Sequence, residues 1–460
     1  MTPESILANY ITGAALHPVR ESVVTRVRCH LLDTLAAIVS GRFLPAGKFG
    51  YGFAEAHAKS GEATLLGSEN RVSTELAAFA NAMAAHADET DDSHLGGRFH
   101  PGCAIVPAAL AVAEEVNAPS DALLKAIAAG YDIGARATMA LGYASPRTTV
   151  FSTHSFGALF GAAAAAGALY RLNAAQALAL LSFTAQQASG LSYWNRDRAH
   201  VEKSFDFGAK AARNGIFAAQ LAQAGMTAPA LPLTGGNGYL QAFAEEARPE
   251  VLFEELGERF EIERATIKKW PVGSPVQSVL DAIEALFSGA PAPVDAIASV
   301  TIRVPSNRFH VIDNRDMPAV CCQHLAALAL SDGKVSFAAS HSHQRMKAPE
   351  ILAWRNKITL LPDDALTHAR PERQSIVTVA MADGAVHKHH AKIVRGTPDD
   401  PMPPEEVAAK AADILSDLLP DGGRALIGTC FKTKFTAGEI VAAARLPAAK
   451  AAQLCKAASA

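Results

Sequence analysis

Alanine-rich stretches with a helical period dominate the first 265 residues of this 460-residue chain. In SVVTRVRCHLLDTLAAIVSG, ELAAFANAMAAHADE, IVPAALAVAEEV and ARNGIFAAQLAQAG the apolar residues recur at i, i+3, i+4 and i+7. Glycine closes several of these stretches, as at Gly41 and Gly225. Such a period lines one helix face with apolar side chains. Alanine favours the helix and lets two helices approach closely. This half is therefore predicted to be a bundle of many helices. The run GALFGAAAAAGALYRL is interrupted at Arg171, short of the ~20 strongly apolar residues of a membrane span, and is read as a buried helix.

From about residue 266 the period changes. ASVTIRV (298–304) alternates like a half-buried strand, and IVTVAM and AVHKHHAKIV (376–394) flank the turn signal Ala382-Asp383-Gly384. PAVCCQHLAALAL, between them, reads as helix. After Pro401-Met402-Pro403-Pro404 the helical pattern returns in EEVAAKAADILSDLL and FTAGEIVAAARL. The expected fold is mostly α: a large all-helical domain (1–265 plus 400–460) with an inserted smaller α+β domain (266–399). A chain of this length exceeds one ordinary core, which fits two domains.

Composition narrows the function classes. A net charge of -3 leaves no basic footprint for nucleic acid and no polybasic membrane anchor. The N-terminus MTPESILANYITGAALHPVRE lacks a basic start followed by an apolar run, so a cytoplasmic location is expected. Cys29, Cys103, Cys321, Cys322, Cys430 and Cys455 form no C-x-x-C pair. They read as reduced buried thiols, with no set suited to an iron–sulfur cluster. Gly235-Gly236-Asn237-Gly238 lacks the preceding strand and following Lys-Ser/Thr of a phosphate-binding loop.

Three polar clusters could carry chemistry. HADETDDSHLGGRFHPG (86–102) packs Glu89, Asp91, Asp92, His94, Arg98 and His100 into one short segment between two helices. Crowded carboxylates and histidines can move each other's pKa toward neutrality, as general acid–base work requires; the alternative is a solvated helix end. A divalent ion is a further reading, although His86, His94 and His100 lack the i, i+4 spacing of a helical zinc site. WNRDRAHVEKSFDFGAKAARNG (194–215) offers Arg196, Arg198, Lys203 and Arg213 for carboxylate binding, or is a basic surface loop. In FSTHSFGALFGAAAA (151–165) Ser152, Thr153, His154 and Ser155 open a small-residue helix, as an anion site or as ordinary caps. His387-Lys388-His389-His390 looks metal-like but reads as a solvated hairpin.

Taken together, these stretches resemble the MmgE/PrpD family of 2-methylcitrate dehydratases, cis-aconitate decarboxylases and iminodisuccinate epimerases. The matching blocks are 29–41, 75–114, 152–172, 203–229 and KKWPVGSPVQSVLDAI (268–283), in the family's order. The resemblance implies a helical domain with an inserted α+β domain, an active site in the cleft between them, a homodimer, and chemistry without metal or other cofactor. Carried over, the aspartate-rich motif falls on Asp91, Asp92 and Ser93, the last replacing the usual Thr, with Glu89 where Asp is common. The His-Pro step falls on His100-Pro101, and the family's lysines on Lys203 and Lys268. Three positions where relatives often keep His or Cys read Phe151, Gly273 and Gln277.

The resemblance implies a small di- or tricarboxylate substrate and a carbanion-like centre beside a carboxylate. Lys203, with Arg198 or Lys268, is expected to bind carboxylate; His100 to move the proton; and Asp91 or Asp92 to orient it. Ser93, Glu89, His154 and Ser155 are expected to contact substrate. A lyase (dehydratase) is the first reading. Epimerase or isomerase, and decarboxylase, are the alternatives, and a non-catalytic carboxylate-binding protein comes last.

Overall fold

Small residues set the spacing of the helices. The computed structural model describes residues 1–58, 60–142, 150–197 and 199–457, with the side chains of 455–457 left aside. Helix Ser120–Met139 lies against helix Thr153–Leu169, the latter buried along its length apart from His154. A side chain at Gly134 would begin 2.4 Å from the carbonyl oxygen of Gly157, so only glycine allows these two backbones to touch. The bundle is completed by Glu21–Gly41, Thr74–Ala85, Gly102–Glu115 and Lys210–Gln223. The predicted helical half is observed. Among the described residues no helix is long and apolar enough to cross a membrane.

The chain divides into two units. One comprises Met1–Ala87, Asp91–Thr266 and the tail from Leu415; the other comprises Asp88–Thr90 and Ile267–Ile414. In the first, the Arg28 guanidinium donates to the carbonyls of Cys430 and Lys432, both at 2.6 Å, and so holds the end of the tail helix Arg424–Phe431. Thr436 and Glu439 close a capping box on Ala437–Ala443.

The second unit carries a four-stranded sheet. Ile297–Pro305 pairs in parallel with Ile358–Asp363 and antiparallel with Ser375–Met381, which pairs with Val386–Ala391. Val300, Ile302, Val304, Val377 and Val379 share a core with Val279, Leu280 and Ile283 of helix Gln277–Phe287 and with Leu325 and Leu328 of helix Cys322–Asp332. Each such side chain contributes about 1.5–3 kcal/mol by leaving water. The hairpin turns at Gly384, whose φ of 92° explains the glycine. His387 and Lys388 are exposed on its edge strand, where charged and polar side chains discourage further strand pairing. Residues 400–414, grouped by sequence texture with the helical tail, cluster here. Arg395 forks onto Glu406 of helix Pro404–Leu415, and Lys410 donates to the Thr90 carbonyl at 2.9 Å.

Cys29, Cys103, Cys321, Cys322 and Cys430 are buried; the Cys455 side chain lies outside the described residues. Burial pushes the Cys430 thiol up to about 12, which keeps it protonated.

His324 is fully buried on helix Cys322–Asp332. Burial, then the charge of Arg355, pulls it from 6.5 down to about 4, so the fold holds it neutral. The unfolded chain takes up a proton below pH 6.5 that the folded chain refuses until about pH 4. Stability is therefore expected to fall across that window by roughly 3 kcal/mol from this group. A His324→Leu variant should show a shallower acid limb in melting temperature against pH. Identical limbs in variant and wild type would refute the account.

Candidate active site

The polar segment is pinned at both ends. Helix Thr74–Ala85 stops at His86, and Ser93–His94 pairs antiparallel with Ala265–Thr266 before helix Gly102–Glu115 begins. Of its two adjacent aspartates, Asp92 faces the bundle core. It accepts from His30 Nδ1 at 2.7 Å, from the Tyr131 hydroxyl at 2.6 Å and from the Gly102 amide at 2.9 Å. Burial, then the Asp92 charge, pushes Tyr131 well above its ordinary value and keeps it a neutral donor. A Cβ at Gly102 would lie 2.8 Å from Asp92 Oδ1, so the glycine makes room for that carboxylate. His94 is likewise committed, at 3.1 Å from the buried Glu261. Burial alone would raise Glu261, but His94, Arg264 and Arg136 hold it down at about 2.

Asp91 turns to a histidine cluster. Its Oδ2 lies 2.8 Å from His86 Nδ1 and 3.1 Å from His100 Nδ1. As a carboxylate it only accepts, so both rings donate to it from Nδ1. The His86 and His100 rings meet edge to face at 4.8 Å; His154 lies 5.6 Å from His100, and His200 5.1 Å from His86. Asp91 and His86 are fully buried, while His100 keeps 8% of its surface.

A local change of helical pitch builds the cluster's floor. After His200, with left-handed φ of 61°, the turn Val201–Ser204 runs through a π-helical turn, Phe205–Ala209, into Lys210–Gln223. Single π-turns frequently mark functional sites. Gly208 permits this one to pack, since a Cβ there would lie 3.0 Å from the Ala82 carbonyl and 3.1 Å from that of Cys103. Phe207, thus placed, stacks on His154 at 3.8 Å and on His86 at 4.7 Å. Lys203 Nζ sits 5.1 Å from the Phe207 ring and 5.6 Å from that of Trp194, within cation–π range. The Ser204 hydroxyl lies 2.5 Å from the His86 carbonyl and 2.6 Å from that of His200, tying the two segments together.

The fold thus gathers Asp91, His100, His154 and Lys203 in the first unit. The Ser152 and Thr153 hydroxyls are not N-caps of their helix: Ser152 donates to Asp206, and Thr153 donates to the Arg98 carbonyl at 2.9 Å. Burial pushes the Asp206 carboxyl up, against the bonds from Ser152 and Lys210. The Ser93 and Ser155 hydroxyls are buried without a hydrogen-bond partner. Arg198 lies outside the described residues. Glu89 and Lys268 belong to the second unit, where Lys268 Nζ reaches the Glu89 carbonyl at 2.6 Å and its carboxylate at 3.9 Å. Beside them Asp88 pairs with His341 at 3.1 Å.

The three departures have structural occupations. Phe151 packs edge to face on Phe243 at 5.1 Å. Gln277 spends both ends of its amide on the backbone of Trp270 and Val272. Gly273 has only backbone to offer: its amide donates to the Ala319 carbonyl at 2.9 Å and its carbonyl accepts from the Val276 amide at 3.1 Å. Sequence reasoning passed over His30, Tyr131, His200, Trp194 and Phe207. The available signal was a polar residue inside an otherwise apolar helix, as with His30 in CHLLDTLAAI; nothing in the spacing brings it to Asp92.

A family model described as the MmgE/PrpD N-terminal domain matches residues 5–252, and one described as the MmgE/PrpD C-terminal domain matches 270–430. No curated protein matches the chain. The two matches cover most of the sequence in the expected order, and the chain belongs to the MmgE/PrpD family.

Proposed function

We propose that the protein is a lyase that removes water from a small hydroxylated di- or tricarboxylate, without a cofactor. Membership of a family of lyases and isomerases supports an enzyme of this general kind. The observation that carries the reading is the single Asp91 oxygen shared by the Nδ1 atoms of His86 and His100. A carboxylate behind an imidazole fixes its tautomer and stabilises the imidazolium formed when Nε2 takes a proton. His100 is assigned as the base that removes the proton beside a substrate carboxylate. Lys203 holds the charge that builds on the carboxylate oxygens. The electron pair then forms the double bond, and the β-hydroxyl leaves as water with a proton from a second imidazole, His154. Asp92 is assigned a positioning role, since its three bonds all run to the bundle. Ser93 and Ser155 are proposed as hydroxyl contacts to substrate.

A second reading is epimerisation, in which the proton returns to the other face and nothing leaves. The aromatic, amide and glycine positions at Phe151, Gln277 and Gly273 favour it, because they supply no proton-transfer group where relatives often keep one. An NMR screen of di- and tricarboxylates in D2O separates the two. Dehydration is expected to give an alkene signal; solvent deuterium entering a carbon beside a carboxylate, without alkene or CO2, would replace it with epimerisation. Binding with no turnover across the panel would overturn both.

A further inference from the structure

We propose that His86, Asp91 and Cys103 form a site for a thiophilic divalent cation, with Zn2+ as its natural size and charge class. Each residue offers one ligand atom, and the three atoms lie within 4.8 Å of one another with all three residues buried. Nitrogen, oxygen and sulfur donors together suit zinc better than magnesium or calcium, which take oxygen alone. Three protein ligands with one open position is the pattern of zinc sites that exchange a water or small anion.

The three come from separate, rigid places. His86 ends helix Thr74–Ala85, Asp91 lies in the loop beyond, and Cys103 is in the first turn of helix Gly102–Glu115. Zinc bonds of about 2.0 Å to nitrogen or oxygen and 2.3 Å to sulfur would draw the donors together by roughly 1 Å. The groups can respond. His86 Nε2 is buried with no hydrogen-bond partner, while its Nδ1 lies 2.8 Å from Asp91 Oδ2. A buried polar atom without a partner is itself a pointer to a missing ligand. Cys103 Sγ donates weakly to the His100 carbonyl at 3.2 Å and the Phe207 carbonyl at 3.6 Å. Binding replaces the S–H proton by the Zn–S bond, and that proton passes to solvent.

The proposal stands on the donor set and not on the lyase reading. If Asp91 and His100 serve as assigned above, occupancy also silences turnover, but the readout below is independent of activity. Purified full-length protein is titrated with Co2+ as a spectroscopic substitute and with Zn2+ in competition. One equivalent should produce thiolate-to-cobalt charge-transfer absorption and tetrahedral d–d bands, displaced by Zn2+, with release of a proton. Cys103→Ala should abolish the charge-transfer band and weaken binding by more than about 100-fold, beyond the loss of an outer-shell partner. X-ray absorption of the zinc-loaded wild type gives a check that does not depend on the variant's folding. One sulfur with nitrogen and oxygen neighbours supports the site; a shell without sulfur overturns it. A Cys103→Ala protein that retains the band and the affinity overturns it as well.

Discussion

An Asp91→Asn variant should lose turnover by about 10^3- to 10^4-fold while remaining folded. The carboxylate oxygen Oδ2 receives both His86 Nδ1 and His100 Nδ1, at 2.8 and 3.1 Å. An amide is neutral, and half of it is a donor. With the NH2 toward the rings, the preferred histidine tautomer reverses and the lone pair of His100 turns away from substrate. With the amide oxygen toward them the tautomer survives, but the charge that stabilises the imidazolium is gone. Either way the barrier rises, whereas binding through Lys203 continues. The measurement is kcat and KM on the substrate that the D2O screen identifies, with far-UV circular dichroism as the folding control. The expected signature is a fall in kcat with little change in KM. A kcat within tenfold of wild type would remove Asp91 from the chemistry.

The neighbouring aspartate should fail differently. Asp92→Ala is expected to destabilise the protein by about 3–5 kcal/mol, because one substitution strands several buried groups at once. His30, the Tyr131 hydroxyl and the Gly102 amide all converge on this carboxylate, and both Asp92 and His30 are wholly buried. The cavity left by the side chain is lined with those polar atoms. The loss should appear as a lower denaturant midpoint for the helical unit. Asp92→Asn should recover part of it, since the amide oxygen can still accept from two of the three donors. A shift below about 1 kcal/mol in the alanine variant would show that these bonds contribute little. Two adjacent residues of one motif thus make opposite predictions: the first acts on rate, the second on stability.

The fold was largely legible in the chain because its signals are local. The helical period of residues 1–265 depends on spacing within a few turns, and the tertiary structure keeps it. The alternation in ASVTIRV and the Asp383-Gly384 turn likewise specified a strand and a hairpin that form as read. Where texture failed, the cause was long-range. EEVAAKAADIL looks like any other helix of this protein, but Arg395 and Lys410 bind residues 400–414 into the second unit. Ser152 and Thr153 look like caps, yet their hydroxyls are taken by Asp206 and Arg98, distant in sequence.

The candidate site divides along the same line. Residue types pointed to the 86–102 segment and to the basic cluster around Lys203 as candidates beside a solvated helix end and a surface loop, and the family resemblance decided for a site. They could not separate Asp91 from Asp92. Adjacent side chains on an irregular loop have no fixed period, so which one faces the bundle is decided by partners: His30 and Tyr131 for one, His86 and His100 for the other. The same holds for Phe207, which only the π-turn at Phe205–Ala209 places beneath two imidazoles. The sequence by itself determined the helical half, one strand, the hairpin and the family, because periodicity and motif order are written along the chain; the strand Ile358–Asp363 and its parallel pairing came from the tertiary structure. The tertiary structure alone decided which polar groups meet, because burial favours partners that lie far apart along the chain.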